Sequence, residues 1–153
     1  MLSKDRLREI TLFRDLSDED IEVVASVLEE AFHKKDSVIW EEGTAEQGLH
    51  IVEHGKVRIC RNTREGHKQV LAVLKANNFF GELSILDGRM HSASAEAVDD
   101  TKVLILHKSS MDKLLQDNPQ IAFNIVRVMT IEVCELLRVM NAKFMDMVNY
   151  TWE

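Results

Sequence analysis

Apolar residues recur at helical spacing near the start of the chain. Ile21, Val24, Ala25 and Leu28 lie on one face of a helical pattern that begins shortly after Ser17, a residue type that often caps the first turn of a helix. Acidic residues crowd that first turn, where the helix dipole favours negative charge. The pattern predicts a helix over residues 17–30, and the mixed segment before it predicts a short helix within residues 1–10.

From residue 31 the apolar pattern changes to a period near two. Turn residues such as Glu-Gly, His-Gly and Asp-Asp pairs interrupt it about every eight to twelve positions, as in all-β sandwiches and jelly rolls. We therefore predict an eight-or-so-stranded β-roll over residues 31–107. Its clearest strands are residues 37–40, 49–53, 56–61, 68–74, 92–97 and 102–106.

The end of the chain returns to a helical pattern, which predicts two C-terminal helices over residues 109–150. Ser109 or Ser110 can cap the first, and Asn118 followed by Pro119 is typical of the start of the second. With roughly 30 residues at 1.5 Å each, the second helix would span about 45 Å. The predicted fold class is α+β, with the whole of residues 1–153 in one domain.

The second of these helices carries an apolar stripe whose members are spaced alternately by fours and threes. Such a seam is typical of a two-stranded coiled coil, so we expect the chain to form a homodimer through this helix. The alternative is that the stripe packs only against its own domain. The stripe consists of Met129, Val133, Leu136, Met140, Phe144 and Met147.

Charge and composition exclude several classes of function. The formal net charge is −7, with 26 acidic and 19 basic residues, which disfavours direct nucleic-acid binding because that binding depends on clustered Lys and Arg. No signal segment and no apolar run of 18 residues is present, so we expect no membrane contact and a cytoplasmic location.

The sequence offers no metal or catalytic motif. Cys60 and Cys134 lack metal-ligand spacing and are interpreted as buried, reduced thiols. The histidines show no paired spacing, and no Ser/His/Asp or Cys/His set stands out. We therefore predict neither a metal site, nor a cofactor, nor an enzyme.

Residues 79–97 have the composition of a small anion site. Gly81 permits a tight turn, and the short helical stretch that follows has free amides at its start, where a phosphate is favoured. Glu82 would repel an anion unless its carboxylate accepted another hydrogen bond, for which a ribose hydroxyl is a suitable donor. After the Asp-Gly turn, the small residues from Ser92 to Ala95 predict a strand with space above it. Together these features suggest a sugar-phosphate pocket.

The same segment resembles the phosphate-binding cassette of cyclic-nucleotide-binding domains, the family of the catabolite activator protein and of the regulatory subunits of cAMP-dependent kinase. The likeness rests on Phe-Gly-Glu-Leu-Ser at residues 80–84 and Ser-Ala-Ser at residues 92–94, and it extends over roughly residues 12–141. Between the two runs the sequence departs from the family motif. Met90 stands in place of proline, and His91 stands in place of the arginine that pairs with the cyclic phosphate.

The resemblance implies a set of ligand-binding residues. His91 is either a phosphate contact, with binding that tightens as pH falls, or a loop histidine without a ligand, while Arg89 could replace the missing arginine or be solvated. Residues 70–74 would form the pocket floor, and the long helix would supply contacts to the base. The full predicted set is Gly81, Glu82, Leu83, Ser84, Arg89, His91, Ser92, Ala93, Met140 and Asn141.

The function implied by the resemblance is that of a regulatory domain which binds a cyclic nucleotide, cAMP rather than cGMP, and transmits binding through its long helix to an unknown output protein. One alternative is a degenerate, ligand-free dimerisation or docking module of the same fold. Another is the sensor half of a truncated transcription regulator, because the chain ends at Glu153 where such regulators continue into a DNA-binding domain.

Overall fold

The computed structural model describes residues 2–151 and begins with two helices, α1 (Lys4–Arg8) and α2 (Asp18–Val27), joined through a 3-10 turn at Thr11–Phe13. Ser17 caps α2 in a reciprocal capping box. The Asp20 amide donates to the Ser17 hydroxyl, and the Ser17 amide donates to the Asp20 carboxylate. Residues 1, 152 and 153, which the single-domain prediction included, lie outside the described residues.

The predicted extent of α2 to residue 30 is wrong, because residues 28–33 form the first strand. Leu28 leaves the helix with extended dihedral angles, and the segment pairs antiparallel with the last strand of the roll. At Leu28, long-range strand pairing therefore overrides the helical spacing of apolar residues. A short sequence window cannot show this pairing, because it does not contain the partner strand.

Eight strands form two four-stranded antiparallel sheets, which confirms the predicted β-roll. The first sheet has the order β1-β8-β3-β6 and the second has the order β2-β7-β4-β5. The strands are β1 (Leu28–His33), β2 (Val38–Trp40), β3 (Leu49–His54), β4 (Val57–Asn62), β5 (Lys68–Leu74), β6 (Phe79–Phe80), β7 (Ser94–Ala97) and β8 (Thr101–Leu106).

The two central strands of the first sheet, β3 and β8, are largely buried on both faces, and alternate residues serve two separate cores. On β8, Leu104 and Leu106 pack with the helices, whereas Val103 and Ile105 point into the roll. The roll core also contains Trp40, Val52, Val57, Phe80 and Ala95. The interior of the roll is thus closed by the same sheet that anchors the helices.

Three further helices complete the chain: α3 (Glu82–Asp87), α4 (Lys108–Asp117) and α5 (Pro119–Thr151). Pro119 occupies the first position of α5 as predicted, but α4 begins at Lys108, before the two serines proposed as caps, and has no side-chain cap. Only the first third of α5 is buried. Its buried residues are Ile121, Ala122, Ile125, Val128 and Met129.

The two cysteines differ in environment. Cys60 is a buried free thiol, as predicted, but Cys134 is exposed on α5, so the prediction that both are buried is wrong. Beyond Met129, α5 leaves the helical core, and its side chains have no other element to cover them. Among the described residues, no helix is both long enough and apolar enough to cross a membrane.

Candidate functional site

The cassette turn is built around Gly81, which caps the short helix α3. Its φ of 85° lies in the left-handed region, and a Cβ placed there would lie 2.7 Å from the Gly48 carbonyl oxygen and 3.1 Å from the Trp40 ring. Both the dihedral angle and the space therefore require glycine. Gly88 ends α3 in a second left-handed conformation, with its amide donating to the Ser84 carbonyl.

His91 is buried inside the roll rather than exposed on the loop that carries it. Its imidazole stacks on the Trp40 indole, with ring centroids 3.8 Å apart and planes 7° from parallel. Nδ1 lies 3.3 Å from the Ser84 hydroxyl, while Nε2 is buried without a hydrogen-bond partner among the described residues. The main chain is held by the loop before β3, because the His91 amide donates to the Thr44 carbonyl.

Two more aromatic rings surround this stack. Phe80 and His50 each lie about 5 Å from Trp40, with centroid distances of 5.0 Å and 4.9 Å. His50 Nδ1–H donates to the Gly48 carbonyl at 3.2 Å, because a carbonyl oxygen can only accept. The cassette turn, β2 and β3 are thus joined through one aromatic cluster.

Burial sets the protonation of the groups at this site. It lowers the pKa of His50 to about 4 and also lowers the pKa of His91, against a smaller opposing effect of the Glu46 carboxylate. Burial raises the pKa of Glu82. The interior of the roll therefore favours the neutral form of all three ionisable side chains.

The structure brings the first half of the predicted site together with its second half. Gly81, Glu82 and Ser84 lie on the turn and on α3, and the Ser84 hydroxyl meets His91 directly. The carbonyl of Ala93 accepts a hydrogen bond from Trp40 Nε1–H at 3.0 Å, while neighbouring Ser92 is exposed.

Other predicted residues lie away from this cluster. Leu83 is exposed, and Arg89 is exposed with its guanidinium 3.9 Å from the Asp87 carboxylate, so it does not replace an arginine at position 91. Met140 and Asn141 are exposed on α5 and make no hydrogen bond to the cassette within the described part of the chain. The predicted base contacts are therefore not assembled in this conformation.

The predicted pocket floor is an edge strand instead. β5 pairs only with β4, and Val70, Leu71 and Val73 are all exposed. A cavity of about 350 Å³ lies between α3, α4 and α5, but no predicted ligand-binding residue lines it. Its walls include Ile85, Leu86, Met111, Leu115 and Val126.

Sequence reasoning missed three residues that shape the site: Trp40, Gly48 and His50. The alternation along β2 and β3 was the available signal, since it places Trp40, His50 and Val52 on inward positions. An inward histidine between apolar neighbours marks a polar group enclosed by the core. The side chains that this histidine contacts are set by the packing of separate strands, so the pattern along one strand does not identify them.

Comparison with known proteins gives a consistent family assignment. The profile of the cyclic nucleotide-binding domain matches residues 30–118. The cyclic AMP receptor protein of Thermus thermophilus is 33% identical over 118 residues, which cover 77% of this chain and 55% of the relative. A cAMP-dependent protein kinase regulatory subunit of Debaryomyces hansenii is 29% identical over 116 residues, covering 75% of this chain and 25% of the relative.

Solved structures share the same architecture. The catabolite activator protein of Thermus thermophilus aligns with a TM-score of 0.75 and 30% identity over 86% of this chain and 62% of that chain. The N-terminal domain of a transcriptional regulator from Streptomyces coelicolor aligns with a TM-score of 0.76 and 26% identity, over 89% and 95% of the two chains. The chain spans about half the length of the bacterial receptor that it matches.

Proposed function

The chain belongs to the cyclic nucleotide-binding domain family, and from that premise we propose that it binds cAMP in preference to cGMP at its cassette. The observation that carries the proposal is the unpartnered Nε2 of His91, enclosed beside the turn formed by Gly81 and α3. A buried nitrogen without a partner is costly, and a phosphate oxygen would satisfy it.

The remaining cassette groups suit the rest of the nucleotide. The first amides of α3 lack partners within the helix, so they can donate to a phosphate oxygen. Glu82, half-buried on the same turn, would accept a hydrogen bond from a ribose hydroxyl. Burial already raises the pKa of Glu82, so a hydroxyl donor at its carboxylate would favour the charged form and oppose that shift.

Transmission of binding requires a conformational change in α5. Met140 and Asn141 are exposed on α5, and we propose that they pack over the base when the ligand is present. Ligand binding then shifts the position of α5 because the two positions bind nucleotide with different affinity. The output protein, a homodimeric state and a cytoplasmic location are further predictions, as is a regulatory rather than catalytic role.

A thermal-shift titration tests ligand binding. At a cAMP concentration about 100 times Kd, stability should rise by about 2.7 kcal/mol, which corresponds to several degrees in Tm for a domain of this size. Acyclic AMP is the control ligand and should shift Tm much less. The variant Glu82→Gln should weaken cAMP binding by about tenfold, because it removes a charged acceptor, whereas Glu65→Gln on an exposed turn should not.

Two observations favour a second candidate function, a docking or dimerisation module that binds no nucleotide. His91 is packed against Trp40, and the cavity of about 350 Å³ is lined by none of the predicted ligand-binding residues. An unchanged Tm at millimolar cAMP and cGMP would support this alternative and contradict the sensor proposal.

A further inference from the structure

The hydrogen bond between Ser84 and His91 can be assigned a direction. Both residues are buried, with 4% exposure each, and the contact of 3.3 Å is the one recorded for the Ser84 hydroxyl among the described residues. If Nδ1 carried the proton, two groups would be left unsatisfied, namely the hydroxyl hydrogen and the lone pair of Nε2. If the hydroxyl donates to Nδ1, only Nε2–H remains without a partner.

We infer that Ser84 is a positioning residue that holds His91 as the neutral Nε2–H tautomer, whose free N–H then donates to an anionic phosphate oxygen. The inference rests on the proposed function for its ligand and names the atom that performs the contact. It also explains how a histidine can serve where the family motif has arginine. One oriented donor replaces the two donors of a guanidinium fork.

The orientation of the ring is fixed from three sides. Trp40 covers one face of the imidazole in a parallel stack, and Trp40 is itself held by the hydrogen bond from its Nε1–H to the Ala93 carbonyl. The main chain at His91 is tied to the Thr44 and Gly43 backbone, at 2.9 Å and 2.8 Å. Since Nε2 is closed off from solvent here, a ligand oxygen reaches it only when the groups that enclose it move.

Neutral His91 changes the expected pH dependence of binding. The titratable groups that face the ring are Glu46, from the loop between β2 and β3, and His50, from β3, while Ser84 and Trp40 carry no charge. Burial outweighs the effect of Glu46 and keeps the pKa of His91 below its usual value. Affinity for cAMP should therefore be nearly constant between about pH 6.5 and 8, rather than tightening as pH falls.

Nitrogen NMR of the imidazole rings tests the tautomer in the full chain without any ligand. The expected spectrum of His91 shows a protonated Nε2 and an unprotonated Nδ1, and Ser84→Ala should shift the ring toward a mixture of tautomers. Because Ser84→Ala changes a buried side chain, a thermal melt first establishes that the variant is folded. A protonated Nδ1 in the unmodified chain would overturn the inference.

A matched pair of substitutions tests which nitrogen meets the ligand. The side-chain amide of His91→Gln places an N–H near the position of Nε2, whereas that of His91→Asn ends near Nδ1. Titration calorimetry with cAMP should find the Gln variant within about threefold of the unmodified chain and the Asn variant weaker by about tenfold or more. The reverse order would refute the contact from Nε2.

Failure of the inference and failure of the proposed function give different results. If the unmodified chain binds neither cAMP nor cGMP, the proposed function and the phosphate contact of His91 are both wrong. The NMR spectrum still determines the tautomer of His91 in that case. If the chain binds cAMP but the affinity of the Gln variant falls as far as that of the Asn variant, binding stands and the role of Nε2 is wrong.

Discussion

Gly81 is the residue on which the geometry of the cassette depends most directly. Its left-handed backbone turns the chain from β6 into α3, and its missing side chain lets the Gly48 carbonyl and the Trp40 ring lie against it. The same Gly48 carbonyl accepts the hydrogen bond from His50. A substitution at Gly81 is therefore expected to perturb three elements: α3, β2 through Trp40, and β3 through Gly48 and His50.

We predict that Gly81→Ala is much more destabilising than Gly88→Ala, although both glycines have positive φ. Gly88, with φ of 71°, has open space where a Cβ would lie, so its substitution costs only the dihedral penalty of about 1 kcal/mol. At Gly81 the contact of 2.7 Å with a backbone oxygen adds to that penalty, and the total should exceed about 2 kcal/mol. Urea unfolding of both variants measures the difference, and equal losses would show that the steric contact is unimportant.

His50 makes the stability of the fold depend on pH. The unfolded chain takes up a proton at this residue near pH 6.5, whereas the folded chain, with a pKa of about 4, does not. The contribution of His50 to the unfolding free energy is therefore fully present above pH 6.5. It declines as pH falls toward 4, because the unfolded state binds more protons in that range. Glu82 acts in the opposite direction, since its pKa is raised by burial.

His50→Leu, which cannot titrate, is the variant to compare with the unmodified chain. Between about pH 7.5 and 5 the unmodified chain should lose about 2 kcal/mol more unfolding free energy than the variant, since each pH unit below 6.5 contributes about 1.36 kcal/mol. Urea unfolding at the two pH values gives both losses. Identical pH dependence in the two proteins would mean that His50 is protonated without cost in the folded state.

Elements with a strong local signal could be predicted from the sequence. The Ser17 cap, the strands from β2 to β5, Pro119 at the start of α5 and the turn at Gly81 follow from residue types within a few positions of one another. Local physics decides these features, because caps, prolines and positive-φ glycines act on their own backbone.

Elements fixed by distant contacts could not be predicted in the same way. β1 replaces the end of a predicted helix because β8 pairs with it from more than 60 positions away in the sequence. The stack of His91 on Trp40 joins the loop after α3 to β2, two segments that no short sequence window contains together. The site could thus be located from its motif, but the burial of its histidine and the exposure of β5 depend on the tertiary fold.

At the scale of the whole molecule, packing within a single chain does not account for the apolar surface on the second half of α5. Beyond Met129 nearly every described side chain is exposed, including eight large hydrophobic residues between Leu136 and Tyr150. A long helix gains most of its stability from packing of an apolar face, and here that face has no partner within the chain. The exposed apolar residues of this segment include Leu136, Leu137, Met140, Phe144, Met145 and Met147.

We propose that a second copy of the chain covers this seam, and two neighbouring methionines provide a matched test. Met147, 68% exposed, lies on the predicted stripe, whereas Met145, 52% exposed, lies on roughly the opposite side of the helix. In a symmetric dimer, Met147→Lys places two like charges at the seam, so the dimer Kd should rise by about tenfold or more. Met145→Lys adds the same charge outside the seam and should leave it nearly unchanged.

Light scattering over a dilution series measures the dimer Kd for the unmodified chain and both variants. Each variant adds one positive charge to a chain of net charge −7, so a general effect of charge would appear equally in the two. Weakening by Met147→Lys alone would identify the stripe as the contact, since only the position of the new charge differs. A chain that stays monomeric at every concentration would exclude the seam as a self-association surface, and equal weakening by both variants would place the contact elsewhere on α5.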